Sequence, residues 1–401
     1  MRHLGCRENL QRYAEEVNRY EQELEDRHRQ AMQQEMRAYL EDLDSRASQE
    51  VLSRGGYESK GRVERTVLTS MGKVRLRVRC YRNRGGHRLY PLRDVCGIGS
   101  ETDQARRRCV RLVIERSYGW SAGILQEEFG MAISRMRLWK IAQEQGQKAQ
   151  KALEEVRRKQ YEQAQTGVEP RESEQAATVE IDGTLLASRE RGVRDLYGRR
   201  RMEMKLGVMF RGRACVGRGK RRKTLKRSVY AQVTDVESFG EQWYTHCRQS
   251  GLGSQERVHL IADGAGWIRT VREGHFPHSS YTLDLYHLKR KSREAMLDHQ
   301  AEKFCALIRT GLTTTAVEYL QSLRPSDDHH RELLRQFCAY VEQNRDGLHY
   351  RPGQIWGSGV VEKLVDVVVG KRMKRQGMSW SLGGANNLLA LRCNHINTRA
   401  A

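Results

Sequence analysis

Three short stretches, far apart in the chain, each offer a carboxylate on a defined support. Val179-Glu180-Ile181-Asp182-Gly183-Thr184 and Val258-His259-Leu260-Ile261-Ala262-Asp263-Gly264 are apolar runs ending in Asp-Gly, the pattern of a buried strand closed by a turn. Gly357-Ser358-Gly359-Val360-Val361-Glu362 is a glycine turn opening an amphipathic helix, with Glu362 in its first turns. Two strand-end aspartates and a helical glutamate suit a two-metal phosphodiester site. Hard oxygen ligands hold Mg²⁺, and carboxylates shared by two ions about 3.5–4 Å apart clamp the attacking and leaving oxygens. The expected ligands are Asp182, Asp263 and Glu362, and the expected cofactor is a pair of Mg²⁺ ions, with Mn²⁺ able to substitute. Taken singly, each acid has a plainer reading: Asp-Gly is a routine turn, and a glutamate near a helix start offsets the dipole. Their joint placement carries the argument.

The charge balance names the phosphodiester. Lys and Arg number 72 against 50 Asp and Glu, a net charge of +22 over 401 residues, which favours a polyanion and above all nucleic acid. Residues 1–50 are the exception, being net acidic. The nine cysteines are scattered singly with no Cys-x-x-Cys pair, as expected of reduced thiols in a cytosolic protein. No apolar run approaches the ~20 residues of a membrane span, and the N-terminus lacks the pattern of a signal peptide. The expected location is the cytoplasm, in association with the nucleoid.

Several elements must hold these residues in place. Residues 1–55 read as a helical segment in which Leu10, Tyr13, Val17, Tyr20 and Leu24 recur at 3-4-3-4 spacing, the seam of a short coiled coil and a possible dimer contact. Residues 56–100 change to period two and predict a small antiparallel sheet, with Val74, Leu76, Val78 and Cys80 on one face. Arg75, Arg77 and Arg79 fall on the other face, where DNA phosphates would lie. Residues 101–148 predict three helices. Ser121 is the expected cap of the second and Gly130 its closing turn, and the third carries Ile133, Met136, Leu138, Trp139 and Ile141 inward against Arg135, Arg137 and Lys140. That is a helix-turn-helix pattern, with these three cations toward DNA. Residues 149–176 read as a linker. Residues 177–398 form the last domain, with strands at 178–187, 202–210, 228–234, 257–263 and 280–286, a helix near 236–249, and a helical insertion at 288–345. Within 211–227, nine cations without an acid, among them Arg221, Arg222 and Lys223, predict a loop on a DNA backbone. Trp267, Trp356 and Trp380 flank the acidic motifs as core residues, with Trp356 or Trp380 able to stack on a flipped base.

Three strands, a helix, two further strands and then helices is the order of a ribonuclease-H-like core, giving an α+β, mixed α/β fold class. At this point the sequence resembles the DDE transposases of bacterial insertion sequences, in the group related to the Mutator transposons. Asp182-Gly183-Thr184 matches the first acidic motif, and Ala262-Asp263-Gly264-Ala265-Gly266-Trp267-Ile268 the second. Asp284-Leu285-Tyr286-His287 matches an Asp-x-x-His element. Gly357 to Glu362, followed by Lys371-Arg372-Met373-Lys374-Arg375 and Gly377-Met378-Ser379-Trp380, matches the third. The resemblance covers roughly residues 60–398; Lys363 departs from it, a small residue being expected there. It implies a catalytic set of Asp182, Asp263 and Glu362, with Asp284 and His287 as an accessory pair. It places Lys371, Arg372, Lys374 and Arg375 on DNA. The implied activity cuts the ends of an element and joins the 3′-hydroxyls to target DNA, within a dimer or larger assembly on double-stranded DNA. A ribonuclease-H-like nuclease or resolvase without strand transfer, and a transposase-derived DNA-binding regulator, are the alternatives.

Overall fold

Between Gly5 and Gly55 the N-terminal segment contains neither glycine nor proline, and in the computed structural model it forms one helix, α1 (Leu4–Ser53). The described residues are 4–163, 176–195, 197–215, 222–253, 256–325, 327–351 and 355–399. They divide into two units, 1–142 and 143–401.

In the first unit, the C-terminal half of α1 covers a three-stranded antiparallel sheet in the order β1 (Tyr57–Thr69), β2 (Gly72–Asn83), β3 (Arg88–Leu89). Met36, Leu40 and Leu43 of the helix pack on Val63, Val67, Val74, Leu76 and Val78, and the short α2 (Pro91–Asp94) adds Leu92. Glu41 and Asp44 of α1 also accept the backbone N–H groups of Arg77 and Arg79, at 3.2 and 2.9 Å, which closes that edge of β2. Arg79 is thereby turned from the expected phosphate face: Nη1 donates to Ser45 Oγ at 2.7 Å and lies 3.5 Å from the buried Asp44. Arg75 and Arg77 remain exposed, although Arg77 stands opposite Glu64 in the register. Farther toward the N-terminus, Tyr13, Val17 and Tyr20 of the 3-4-3-4 seam are each more than half exposed.

Three helices follow: α3 (Asp103–Val113), α4 (Tyr118–Phe129) and α5 (Arg135–Gln163). The cap of α4 is Ser117, whose side chain accepts from Trp120 N; the expected Ser121 is buried within the helix. Gly130, at φ 60°, closes α4 in the left-handed region, as expected. On α5 the buried stripe is Leu138, Ile141 and Ala142, which leaves Met136 and Trp139 outside together with Arg135 and Lys140. Arg137 is not free for DNA. Its Nη2 donates to Oε2 of the buried Glu101 at 2.6 Å, and Arg106 shares that carboxylate. Helix α5 runs to Gln163, through the first part of the expected linker, because residues 148–163 hold no glycine or proline. Residues 164–175 lie outside the described residues.

The second unit is built on a five-stranded mixed sheet. Its strands are β4 (Ala177–Ala187), β5 (Arg201–Phe210), β8 (Ser228–Gln232), β9 (Val258–Ala262) and β10 (Ser280–Leu283), ordered β10-β9-β4-β5-β8. β5 runs antiparallel to both β4 and β8, whereas β9 is parallel to β4 and β10 parallel to β9. Within the basic stretch, β6 (Arg213–Cys215) and β7 (Arg222–Thr224) pair antiparallel where a loop was expected; residues 216–221 lie outside the described residues. Arg211, before it, is buried and paired with Glu256.

Helices α6 (Val236–Gln249) and α7 (Gly266–His275) pack on one face of the sheet through Phe239, Trp243, Ile268 and Val271. A separate core unites α8 (Leu285–Ala295), α9 (Asp298–Arg309), α10 (Thr313–Ser322) and α11 (Asp328–Gln343) around Phe304, Phe337 and Leu348. After a 3₁₀ turn at Arg345–Gly347 come α12 (Gly359–Val365), a π-turn at Asp366–Gly370, α13 (Lys371–Met373) and α14 (Leu382–Thr398). Helix α14 lines the outer edge of β8: Asn397 exchanges hydrogen bonds with the backbone of Val229, and Asn386 with that of Val233. The architecture is a mixed α+β fold. No helix among the described residues is long and apolar enough to cross a membrane. Cys80, Cys96, Cys109, Cys247, Cys305, Cys338 and Cys393 are free thiols.

Candidate metal centre

Strand register brings three aspartates level. Glu180 pairs with Ile261 across β4 and β9, and Ala262 with Leu283 across β9 and β10. Continued past the strand ends, the same offsets set Asp182 beside Asp263 and Asp263 beside Asp284. The apolar residues just before them, Ile181, Ala262 and Leu283, are fully buried, and β9 and β10 end there. β4 does not close in the expected Asp-Gly turn: it runs on through Asp182 and Gly183 to Ala187, held by its antiparallel pairing with β5.

Each aspartate is steadied by the backbone after it. Asp182 Oδ1 accepts from Gly183 N at 2.7 Å, and Asp263 Oδ1 accepts from Ala265 N at 3.0 Å. Gly264, at φ +79°, makes the second turn possible; a Cβ there would meet Leu283 Cδ1 at 2.7 Å and Asn344 Oδ1 at 2.8 Å. The end of α11 braces the same turn. Tyr340 Oη donates to the carbonyl of Asp263 at 2.6 Å, and Asn344 Nδ2 donates to the carbonyl of Tyr340 at 2.9 Å.

Glu362 is brought in by a second carboxylate. Glu180, fully buried within β4, accepts the free N–H groups of Val360 and Val361 on one oxygen, at 3.0 and 2.8 Å. These are orphan donors of the first turn of α12, and a negative charge there also offsets the helix dipole. Glu362 follows one residue later, half-exposed toward the aspartates.

Asp284 caps α8 and ties it to the segment before α12. Its Oδ1 accepts from His287 N at 2.9 Å, and its Oδ2 accepts from both the backbone N–H and, at 2.6 Å, the hydroxyl of Ser358. Burial alone would raise this carboxyl, but the hydrogen bonds from His287 and Ser358 outweigh it and hold the group far below the usual carboxylate range. His287 points between two acids. Nδ1 is 3.4 Å from Asp284 Oδ1, and Nε2 is 3.7 Å from Glu362 Oε1. Asp284 first, then Asp263 and Glu362, raise the imidazole against the effect of its own burial.

Asp182 records the crowding of charge. Burial, with Asp263 and Glu362 adding to it against the Gly183 N–H and His287, pushes its carboxyl up to about 6. Such a cluster of oxygen donors around one imidazole fits divalent cations, whose charge would relieve the mutual repulsion. Lys374 reaches the same edge. Its Nζ bonds Thr184 Oγ1, and burial lowers its pKa while nearby Asp182 opposes the shift. The segment that carries it is fixed to β4, where Trp380 N donates to the carbonyl of Ala187 at 2.9 Å.

All five acids and bases expected at the centre, Asp182, Asp263, Asp284, His287 and Glu362, thus converge. The basic residues are less uniform. Lys371 and Arg375 are exposed, but Arg372 is almost fully buried, its guanidinium over the Trp380 ring and its Nη1 donating to Met378 Sδ at 3.8 Å. Trp380 is core too, donating to the carbonyl of Met373 at 2.9 Å, which removes it from the two tryptophans expected to be able to stack on a base. Arg221 lies outside the described residues, and Arg222 and Lys223 sit on β7. Glu180, Ser358, Tyr340 and Asn344 were not anticipated. Glu180 left a trace, as the one charged residue within the buried run Ala177–Ile181 that opens β4, a position an acid holds only with donors waiting for it.

No curated protein matches the chain. A family model does, from residue 14 to residue 400, and by that match over nearly its whole length the chain belongs to the uncharacterised protein family UPF0236.

Proposed function

We propose that the protein is a DDE-type transposase with a ribonuclease-H-like catalytic core. It would cut the ends of an insertion sequence and join the exposed 3′-hydroxyls to target DNA. One observation carries the reading: in a sheet ordered β10-β9-β4-β5-β8, with β5 antiparallel to its neighbours β4 and β8 and with β9 and β10 parallel to β4, one acid stands midway along β4, one just past the end of β9, and one on a late helix packed against β4. Open sheets of this kind place their chemistry at the carboxyl ends of the parallel strands.

Asp182, Asp263 and Glu362 would hold the two Mg²⁺ ions, which when bound supply Lewis acidity and an activated oxygen nucleophile. The protein's own groups keep that arrangement in place. The Gly183 and Ala265 amides orient the aspartates, Glu180 anchors α12, and Lys374 sets a cation beside the scissile phosphate. The exposed cations Arg75, Arg77, Arg135, Lys140, Lys371 and Arg375 are the candidates for DNA backbone contact. The exposed arc of Arg135, Met136, Trp139 and Lys140 on α5 supports a helix-turn-helix reading of α4 and α5.

The test is a cleavage and joining assay on linear DNA carrying the inverted repeats that flank the gene. Mg²⁺-dependent nicking at the repeat ends, followed by covalent joining to a plasmid target, is expected. Cleavage without joining under any condition would establish the nuclease alternative instead. DNA binding without cleavage in Mg²⁺ or Mn²⁺ would leave a regulator.

A further inference from the structure

We propose that His287 is itself a metal ligand, binding a divalent cation through Nε2 together with Glu362, while Asp284 behind it is a positioning residue. This rests on the reading above that the acids hold divalent ions, and it adds a nitrogen donor to their oxygens. Among the described residues, Asp284, His287 and Glu362 are a set whose ligand atoms all lie within 4.8 Å of one another.

The hydrogen bonds assign the roles. Both oxygens of Asp284 are occupied, Oδ1 by the His287 amide and Oδ2 by two donors from Ser358, so Asp284 has little left to offer an ion. Its Oδ1 also faces His287 Nδ1, a buried ring nitrogen with no hydrogen-bond partner of its own. A carboxylate behind Nδ1 keeps the proton on that nitrogen and leaves the Nε2 lone pair free, the arrangement that orients metal-bound imidazoles. Nε2 then points at Glu362 Oε1 across 3.7 Å. Two neighbouring ligands of one ion with bonds of about 2.1 Å stand roughly 3–3.5 Å apart, so a slight closure of the pair admits the cation. The ring is well placed to stay put, since α8 is capped at its root and only 13% of the side chain is exposed.

Imidazole binds Mn²⁺ more readily than Mg²⁺, whose preference is for oxygen. The full-length protein should therefore bind Mn²⁺ the more tightly of the two. Electron spin echo envelope modulation of the Mn²⁺-loaded protein should show coupling to a directly bound ¹⁴N. In His287→Gln that coupling should vanish, with Mn²⁺ affinity down about tenfold. In Asp284→Asn the coupling should persist at a changed frequency, because the partner of Nδ1 has changed. Mn²⁺ bound without nitrogen coupling, a coupling that survives in His287→Gln, or no Mn²⁺ binding at millimolar concentration would each overturn the proposal. Oxygen-only Mn²⁺ with intact end cleavage removes His287 as a ligand and leaves the transposase reading standing. Nitrogen coupling without cleavage of any repeat-bearing DNA does the reverse.

Discussion

Replacing Glu180 tests whether a buried acid inside β4 holds the helix that carries Glu362. In Glu180→Ala the amides of Val360 and Val361 lose their shared acceptor at a site closed to water. Hydrogen bonds to a charged group contribute about 1.5–3 kcal/mol each, so two of them, with some water entering the space left, set the loss at about 3–5 kcal/mol. At about 2–4 °C per kcal/mol for a unit of this size, the melting temperature should fall by roughly 8–15 °C. Glu180→Gln is the informative partner. Both amides bond the same oxygen, which a glutamine carbonyl reproduces, so these two bonds keep their acceptor and lose its charge, at a cost of about 1–2 kcal/mol. Urea denaturation followed by circular dichroism measures both, and Mn²⁺ titration should show weaker binding in Glu180→Ala because Glu362 directly follows the anchored amides of Val360 and Val361. If alanine and glutamine cost the same, or both fall within about 0.5 kcal/mol of wild type, Glu180 does not hold α12 through these bonds.

Asp182→Asn should abolish cleavage in Mg²⁺ while leaving DNA binding intact, and it should also make the metal-free protein more stable at pH 7. The folded carboxyl lies near 6, above its unfolded value, so its favourable contribution is present below about pH 4 and is lost as pH rises through 6; the gain from asparagine is at most about 3 kcal/mol. Melting curves in chelator at pH 4 and pH 7 would show it, and a difference independent of pH would contradict it. Arg137→Ala should cost about 1–3 kcal/mol by leaving the buried Glu101 short of a partner, whereas Arg135→Ala should leave stability unchanged and reduce discrimination between repeat-end and random DNA. Denaturation and competition binding separate the two; a specificity loss in Arg137→Ala without destabilisation would reverse the assignment. Deleting residues 1–30 removes the exposed Tyr13, Val17 and Tyr20 and should impair paired-end joining more than single-end cleavage. Light scattering with and without end DNA reads the assembly, and a monomer throughout, with joining intact, would rule out a role for that helix in pairing.

Much of the second unit was legible because its signals are local. The apolar runs before Asp182 and Asp263 declare their strands, although only β9 stops at its aspartate while β4 continues to Ala187, and the five strands of the large sheet were found within a few residues of their ends. Glu362 was legible for a similar reason, since a glycine turn before an amphipathic run marks a helix start. What failed depended on partners outside the local periodic pattern. Arg79, Arg137 and Arg372 look like surface cations in isolation, but each meets a group the local pattern does not reveal: Asp44 on α1, Glu101 before α3, and the Trp380 ring. Met136 and Trp139 were assigned inward on hydrophobicity alone, while the three-residue stripe of Leu138, Ile141 and Ala142 already filled the available core. Helix α7 was missed because it is short and begins directly after the Asp263 turn, where glycines mask its onset.

The two asparagines of α14 that bond Val229 and Val233 have a consequence for how the protein is made. An outer strand of a sheet with free N–H and C=O groups is a template for any extended chain that meets it. Here the cover arrives late, since α14 begins 150 residues after β8 ends. At about 5–20 residues per second, ribosomal synthesis leaves that strand open for roughly 8–30 s on each nascent chain. During this interval the half-made sheet can recruit a neighbouring copy on the same polysome. A frameshift or premature stop anywhere between residues 233 and 385 would make the exposure permanent. Such truncated products should partition into aggregates that the full-length chain avoids, and their yield in the soluble fraction should recover when a peptide spanning α14 is supplied in trans.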